Sequence, residues 1–367
     1  MRTKIVRLNL EANRRILFAS DIHGNYKLFD ELLKKVGFSN NDYLFILGDM
    51  IEKSDCNLET LDYFMELNQK DNVYILCGNC DNVLSYMIEN VDDKKLKHYA
   101  LGLKHTILLE FAKRLNIEIN NDSNMEELCH LFYQEFRVYY DFVLDLPHAY
   151  IINDLICAVH GGISSLNNIS NEALDLMKND DFYEQKVNPE MIEIVGHYPV
   201  INYEHEIPSL NPIIDLKKKI ISIDGGMSVL PWSQLNMLMI DNLNNLNFTF
   251  SYIDSYQAIR VIRSEYYKNQ YLFNVTHSPI EIEAISEDDD FIIARYQKYQ
   301  LYVLKKNIIK RDNKLFVYNA FNYFIDIEKD DVVSLVYKGD EFSIIKKNGV
   351  LGLCHTNCLE EWNGRKI

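Results

Sequence analysis

The chain has 367 residues, long enough for two domains and a sizeable core. Its 54 acidic and 38 basic residues leave a formal charge of −16, and basic runs such as 217–219 are short, which excludes a nucleic-acid partner bound along a phosphate backbone. No apolar run reaches the ~18–20 residues of a bilayer span, the N-terminus lacks the apolar core of a signal peptide, and seven cysteines are scattered without a pairing pattern, so the expectation is a cytoplasmic protein with no membrane partner.

The apolar run at 16–19 reads as a strand and ends in ASDIHGN, which carries Asp21 and His23. Leu28, Phe29, Leu32, Leu33 and Val36 recur at helical spacing and predict a helix over 25–36, stopped by Gly37. A second strand, 43–47, runs into FILGDM with Asp49; 58–67 reads as a helix, so 15–80 are successive βα units. A third strand, 73–76, runs into LCGNCD with Asn79, Cys80 and Asp81. Residues 81–145 read as a helical insertion, with segments around 95–115 and 125–140 rich in Leu, Phe and Tyr, either a layer on the sheet or a cap over it. The strand 155–159 runs into His160 of AVHGG, and VGHYP follows with His197. Segments 213–214, 219–223, 237–240 and 247–253 read as further strands, with IDGGM among them. From about 256 short alternating strands dominate, at 280–285, 291–296, 301–305 and 315–318.

Asp21, His23, Asp49, Asn79, His160 and His197 are carboxylate, imidazole and amide donors with no thiolate among them. One such residue is an ordinary surface turn. Five motifs beside glycines, most at strand ends, converge on one sheet edge, where α/β folds place their chemistry. Oxygen and nitrogen donors suit Mn, Fe, Zn, Ni or Co. A carboxylate such as Asp49 can bridge two ions ~3.5–4 Å apart, the clamp used for in-line displacement at phosphorus. Cys77 and Cys80 form a CxxC that reads as a strand end rather than a redox pair. Cys354, His355 and Cys358 lack a second ligand pair and read as core packing rather than zinc binding.

SDIHGN, GDMIEKS, GNCD, HGGIS and GHYPV resemble, in order, the GDxHG, GDxVDRG, GNHE, HGG and later His motifs of calcineurin-like metallophosphoesterases, phosphoprotein phosphatase branch, over roughly 15–250. The resemblance implies an α/β fold, a four-layer αββα sandwich with the helical insertion. It also implies two divalent ions, manganese first among the candidates: Asp21, His23 and Asp49 on one, Asn79, His160 and His197 on the other, Asp49 bridging. The departures concern the catalytic residues. Cys80 stands where the family's leaving-group acid is a His, Glu52 replaces its partner acid, and Lys53 replaces a phosphate-gripping Arg, giving a point charge without the bidentate fork. The implied catalytic set is Glu52, Lys53, Cys80 and Asp81, with Lys53 on a phosphate oxygen and the other three as an altered acid relay. His98, His105, His130 and His148 of the insertion region are other sources of that acid.

The last stretch, from about 330, resembles a Src-homology-3-like barrel, and 271–309 resembles a diverged copy of it. The expected division is therefore a catalytic domain over 1–255 and an all-β appendage over 256–367, suited to binding a peptide or a second copy of the chain. The expected activity is hydrolysis of phosphomonoesters, above all phosphoserine or phosphothreonine in a protein or peptide. The alternatives are a phosphodiesterase or nucleotide (dinucleoside polyphosphate) hydrolase acting on a small phosphoester, and a catalytically weak phosphatase-like binding protein.

Overall fold

Strands apolar on both faces need cover on both sides, and the N-terminal half supplies it. The computed structural model describes residues 2–89, 91–166, 169–268 and 271–362. The chain divides into two compact units, Met1–Pro199 with Pro212–Ile253, and Val200–Asn211 with Asp254–Ile367.

The strands of the first unit are β1 (Ile5–Leu8), β2 (Ile16–Ala19), β3 (Tyr43–Ile46), β4 (Val73–Ile75), β5 (Ala149–Ile152), β6 (Ile156–Val159), β7 (Ile192–Val195), β8 (Ile213–Asp215), β9 (Ile220–Ser222), β10 (Leu235–Asn242) and β11 (Asn245–Ile253). They form two sheets, ordered β11-β10-β2-β3-β4 and β1-β5-β6-β7-β9-β8. The βα units make β2, β3 and β4 parallel, whereas β10 runs antiparallel to β2. Period-two alternation sorts the side chains. Ile16, Phe18, Tyr43 and Phe45 point inward to Tyr150, Ile152, Ile156 and Ala158 of the other sheet. Leu17, Ala19, Leu44 and Ile46 point outward to the helices. On the far side, Ala149, Ile151, Cys157 and Val159 pack on Leu176 and Phe182. The result is the αββα sandwich.

The main helical layer contains α1 (Tyr26–Lys35), α2 (Asn57–Leu67), α3 (Val83–Glu89), α4 (Asp93–Gly102), α5 (Ile107–Arg114), α6 (Met125–Glu135) and α7 (Arg137–Asp145); the short α8 (Ala173–Met177) packs Leu176 into the far-side core. The two long helical segments read from the sequence are each split. Leu103 is extended after α4, and Thr106 caps α5 by accepting the Leu109 N–H. Phe111 stacks on Phe136 with ring centroids 4.2 Å apart, so the insertion packs as part of the helical layer. No helix among the described residues is long and apolar enough to cross a membrane.

The second unit, among the described residues, pairs its named strands antiparallel, with one isolated parallel bridge between Phe324 and Leu353. Its strands are β12 (Gln257–Val261), β13 (Asn274–Val275), β14 (Ile280–Glu287), β15 (Phe291–Tyr296), β16 (Tyr299–Leu304), β17 (Ile308–Arg311), β18 (Lys314–Val317), β19 (Ala320–Phe321), β20 (Val332–Lys338), β21 (Phe342–Lys347), β22 (Val350–His355) and β23 (Leu359–Glu361). One sheet runs β22-β21-β20-β12-β23 and the other β13-β19-β16-β15-β14-β18-β17. Each has its own core, around Ile259, Val333 and Ile345 in the first and Ala294, Leu301 and Val303 in the second. The expected barrel takes the form of a curled half-barrel, since no ladder among the described residues joins β22 to β23. Cys354 and Cys358 lie in its core. The segment 200–211 covers the β22 edge: Leu210 N–H donates to Gly349 O and Leu351 N–H to Pro208 O, each at 2.9 Å.

Candidate active site

The loops after β2, β3, β4, β6 and β7 meet at one edge of the sandwich. Asp21, His23, Asp49, Glu52, Lys53 and His197 all have positive φ, between 46° and 75°. This region costs a non-glycine residue about 1–3 kcal/mol, and its concentration at one edge marks a site the rest of the fold holds under strain. Two glycines permit the close approach. A Cβ on Gly78 would overlap the Asp49 carboxylate, and one on Gly196 would overlap Ser20 Oγ and Asp21 Oδ2.

Asp49 is central. One carboxylate oxygen lies 3.3 Å from His160 Nε2 and the other 3.7 Å from His23 Nε2. His23 Nε2 is 3.8 Å from Asp21 Oδ1. Asn79 Oδ1 lies 3.1 Å from His160 Nε2. Both imidazoles are tied from behind, His23 Nδ1 to Ile51 O at 3.0 Å and His160 Nδ1 to Leu47 O at 2.6 Å, which turns each Nε2 into the cluster. His197 N–H donates to Asp21 Oδ2 at 2.9 Å, and its Nε2 meets Asp180 at 2.7 Å, leaving Nδ1 as the ring's other donor. The structure thus brings together all six residues read as metal donors.

These residues fit a pair of cations. Asp21, Asp49 and His160 present donor atoms within 4.8 Å of one another; so do His23, Asp49 and Cys80, and Asp49 belongs to both groups. Asp21 Oδ1 is buried without a hydrogen-bond donor, a costly state for a carboxylate oxygen that an ion would relieve. The surrounding charge is acidic. Burial, then the nearby Asp21, holds the Asp224 carboxyl well above the usual carboxylate range. Burial also pushes His160 down, but Asp49 and Asp21 outweigh it and raise the imidazole to about 10. Lys53 Nζ enters from the side, 3.2 Å from His23 Nε2. Burial by itself would lower its pKa, but the acidic neighbours, Asp49 and Asp21 among them, outweigh burial and raise it.

The three residues expected to form an acid relay face different partners. No hydrogen bond among the described residues joins the side chains of Glu52, Cys80 and Asp81. Asp81 accepts the N–H groups of Met50 (2.9 Å), Ile51 (3.3 Å) and Gly78 (2.9 Å), so its two oxygens brace the loops after β3 and β4. Glu52 faces the insertion: it accepts the Ile107 N–H at 2.9 Å and the Tyr99 hydroxyl, and burial lifts it to about 7. Cys80 N–H donates to Asp49 at 2.8 Å, and burial beside Asp49 pushes the thiol well up. His148 accepts the Lys4 N–H through Nδ1, and His98 and His130 are exposed. Sequence reasoning missed Tyr99, Asp180 and Asp224. Only Asp224 had a signal, the IDGGM turn.

The family description "calcineurin-like phosphoesterase" matches residues 14–211, more than half of the chain. A symmetrical bis(5'-nucleosyl)-tetraphosphatase from Buchnera aphidicola subsp. Acyrthosiphon pisum is 40% identical over 83 residues, 22% of this chain and 30% of that protein. A zinc-dependent endopolyphosphatase from Saccharomyces cerevisiae is 33% identical over 87 residues, 23% of this chain and 26% of that protein. The chain therefore spans less than a third of the length of these curated relatives. Among solved structures, a Saccharomyces cerevisiae protein serine/threonine phosphatase aligns with a TM-score of 0.42 and 13% identity, covering 69% of this chain and 84% of that one.

Proposed function

The chain belongs to the calcineurin-like phosphoesterase family, and on that footing we propose that it is a metal-dependent hydrolase of phosphomonoesters, with phosphoserine or phosphothreonine in a protein or peptide as substrate. The observation that carries this reading is Asp49, shared by two groups of donors with Lys53 alongside. By the family resemblance Asp21, His23 and Asp49 would hold one divalent ion and Asn79, His160 and His197 the other with Asp49; the donor groups themselves fix only the sharing of Asp49, since Asp21 also lies within reach of His160 and Cys80 of His23. The donor set favours manganese, with Fe, Zn, Ni or Co as substitutes. Such ions supply Lewis acidity and lower the pKa of water to near neutrality.

The protein's own part is positioning. Leu47 O and Ile51 O fix the two imidazoles, Asp81 fixes the loops that carry Asp49 and Asn79, and Lys53 binds an oxygen of the phosphoryl group. Burial of the cluster strengthens each of these electrostatic contacts. All seven cysteines are free thiols, in keeping with a reducing cytoplasm.

A second reading, a nucleotide (dinucleoside polyphosphate) hydrolase, has support from the names of the curated relatives, a bis(5'-nucleosyl)-tetraphosphatase and an endopolyphosphatase. The test is a substrate panel with each divalent ion in turn: nitrophenyl phosphate, bis-nitrophenyl phosphate, a dinucleoside tetraphosphate and a phosphoserine peptide. Preference for the peptide and the aryl monoester upholds the proposal, preference for the tetraphosphate selects the second reading, and no turnover with any ion marks a binding protein.

A further inference from the structure

The loop that bears Lys53 is tied to the helical insertion rather than only to the sheet. Glu52 is buried at 2% exposure, and its two oxygens have separate partners, the N–H of Ile107 at the start of α5 and the hydroxyl of Tyr99 on α4. The Glu52 N–H donates to Asn57 Oδ1 at 2.6 Å. Asn57 in turn donates its backbone and side-chain N–H groups to Glu110 of α5, at 2.8 and 2.7 Å, and Leu58 N–H donates to the other Glu110 oxygen at 3.0 Å. Residues 52–58 are thus held by two carboxylates against α4 and α5. Within this clamp Glu52 and Lys53 both adopt left-handed backbone, at φ of 75° and 65°. That conformation is unfavourable for either residue alone and persists only where its surroundings impose it. It is also what directs the Lys53 ammonium to within 3.2 Å of His23 Nε2.

We propose that Glu52 and Tyr99 are positioning residues, a strut through which α4 and α5 hold Lys53 on the phosphoryl group. This rests on the hydrolase reading above. The strut gives the insertion a role in the reaction beyond packing, and it separates Glu52 from any proton transfer to the leaving group. Glutamate length is required, because one carboxylate must span from the loop to two partners on different helices.

The experiment compares the metal-replete parent with Tyr99→Phe, Glu52→Asp and Glu52→Gln. Inorganic phosphate affinity is measured by calorimetric titration, turnover with nitrophenyl phosphate and with an alkyl phosphate, and metal content by elemental analysis. The strut predicts that Tyr99→Phe and Glu52→Asp weaken phosphate binding about tenfold, the size of one hydrogen bond to a charged group. Turnover of both substrates falls by the same factor, since Lys53 acts on phosphate and not on the leaving group, and metal content is unchanged. Glu52→Gln keeps an acceptor for Ile107 and a partner for Tyr99, and retains most of the parent's phosphate affinity. Losses confined to the alkyl phosphate, with Glu52→Gln as impaired as Glu52→Asp, would reveal a proton relay and overturn the strut; so would unchanged phosphate affinity in Tyr99→Phe. A parent that binds phosphate but turns over neither substrate counts against the hydrolase reading, and the phosphate titration then decides on the strut by itself.

Discussion

Asp49 Oδ1 lies 3.3 Å from His160 Nε2 while its carboxylate also faces His23, so one side chain belongs to both halves of the donor cluster. No other described residue occurs in both donor groups. Asp49→Asn should therefore remove both ions, where changing any other donor removes one. Residues that merely support a ligand cost 10–100-fold, so the loss of turnover here should exceed about 100-fold. Elemental analysis that still finds two ions in the Asn variant would rule out a bridging role.

Gly196→Ala tests the packing beneath the site. The added methyl has no space, since Ser20 Oγ and Asp21 Oδ2 occupy its position. Asp21 Oδ2 also receives the His197 N–H, so displacing it moves donors from two loops. The variant should fold with a loss of about 1–3 kcal/mol and bind at least one ion more weakly, read by calorimetric titration with Mn. Parent-like metal affinity would show that the loops relax freely.

Stability should depend on pH through Glu193. Its carboxyl is buried on β7, accepts the Ile163 N–H at 2.9 Å, and is pushed up by burial to about 8 from an ordinary 4.5. A raised carboxyl pKa means that the folded state retains a proton the unfolded state has lost. Stability from this group is therefore full below about pH 4.5 and falls as pH rises towards 8. Glu193→Gln removes this group's share of the dependence. In thermal melts the variant should gain on the parent between pH 5 and pH 8, by up to about 5 kcal/mol for a full shift of this size. A constant difference across that range would refute the assignment.

Removing residues 254–367 should expose more than a cut end. In the full chain, Asn274 donates through its side chain to Glu204 O and through its backbone to His205 O, while 208–210 pairs along β22. A chain ending at Ile253 retains 200–211 without these partners, although Val200, Ile201 and Leu210 are fully buried in the intact protein. Each exposed side chain of this kind costs about 1.5–3 kcal/mol. The shortened chain should melt lower and aggregate, and replacing 200–211 by a short Gly/Ser linker should restore solubility. A shortened chain as soluble as its linker variant would show that 200–211 needs no cover.

The residues legible in the sequence were those whose setting is local. Apolar runs such as Ile16–Ala19 and Tyr43–Ile46 announce strands, and a donor set in a glycine turn directly after a strand must lie at the sheet edge, because covalent distance allows nothing else. Asp21, His23, Asp49, Asn79, His160 and His197 were named on that basis, and the structure gathers them. What lay beyond reach depends on partners far along the chain. Tyr99 meets Glu52 across 47 positions and Asp180 meets His197 across 17, with no motif to link either pair. Glu52 and Asp81 were found, but the direction of their carboxylates was not. Residue type states what a carboxylate can accept; only the packing of α4, α5 and the loops around Asp81 decided which N–H and O–H groups stood within reach, since a buried carboxylate takes whatever donors the tertiary fold brings to it.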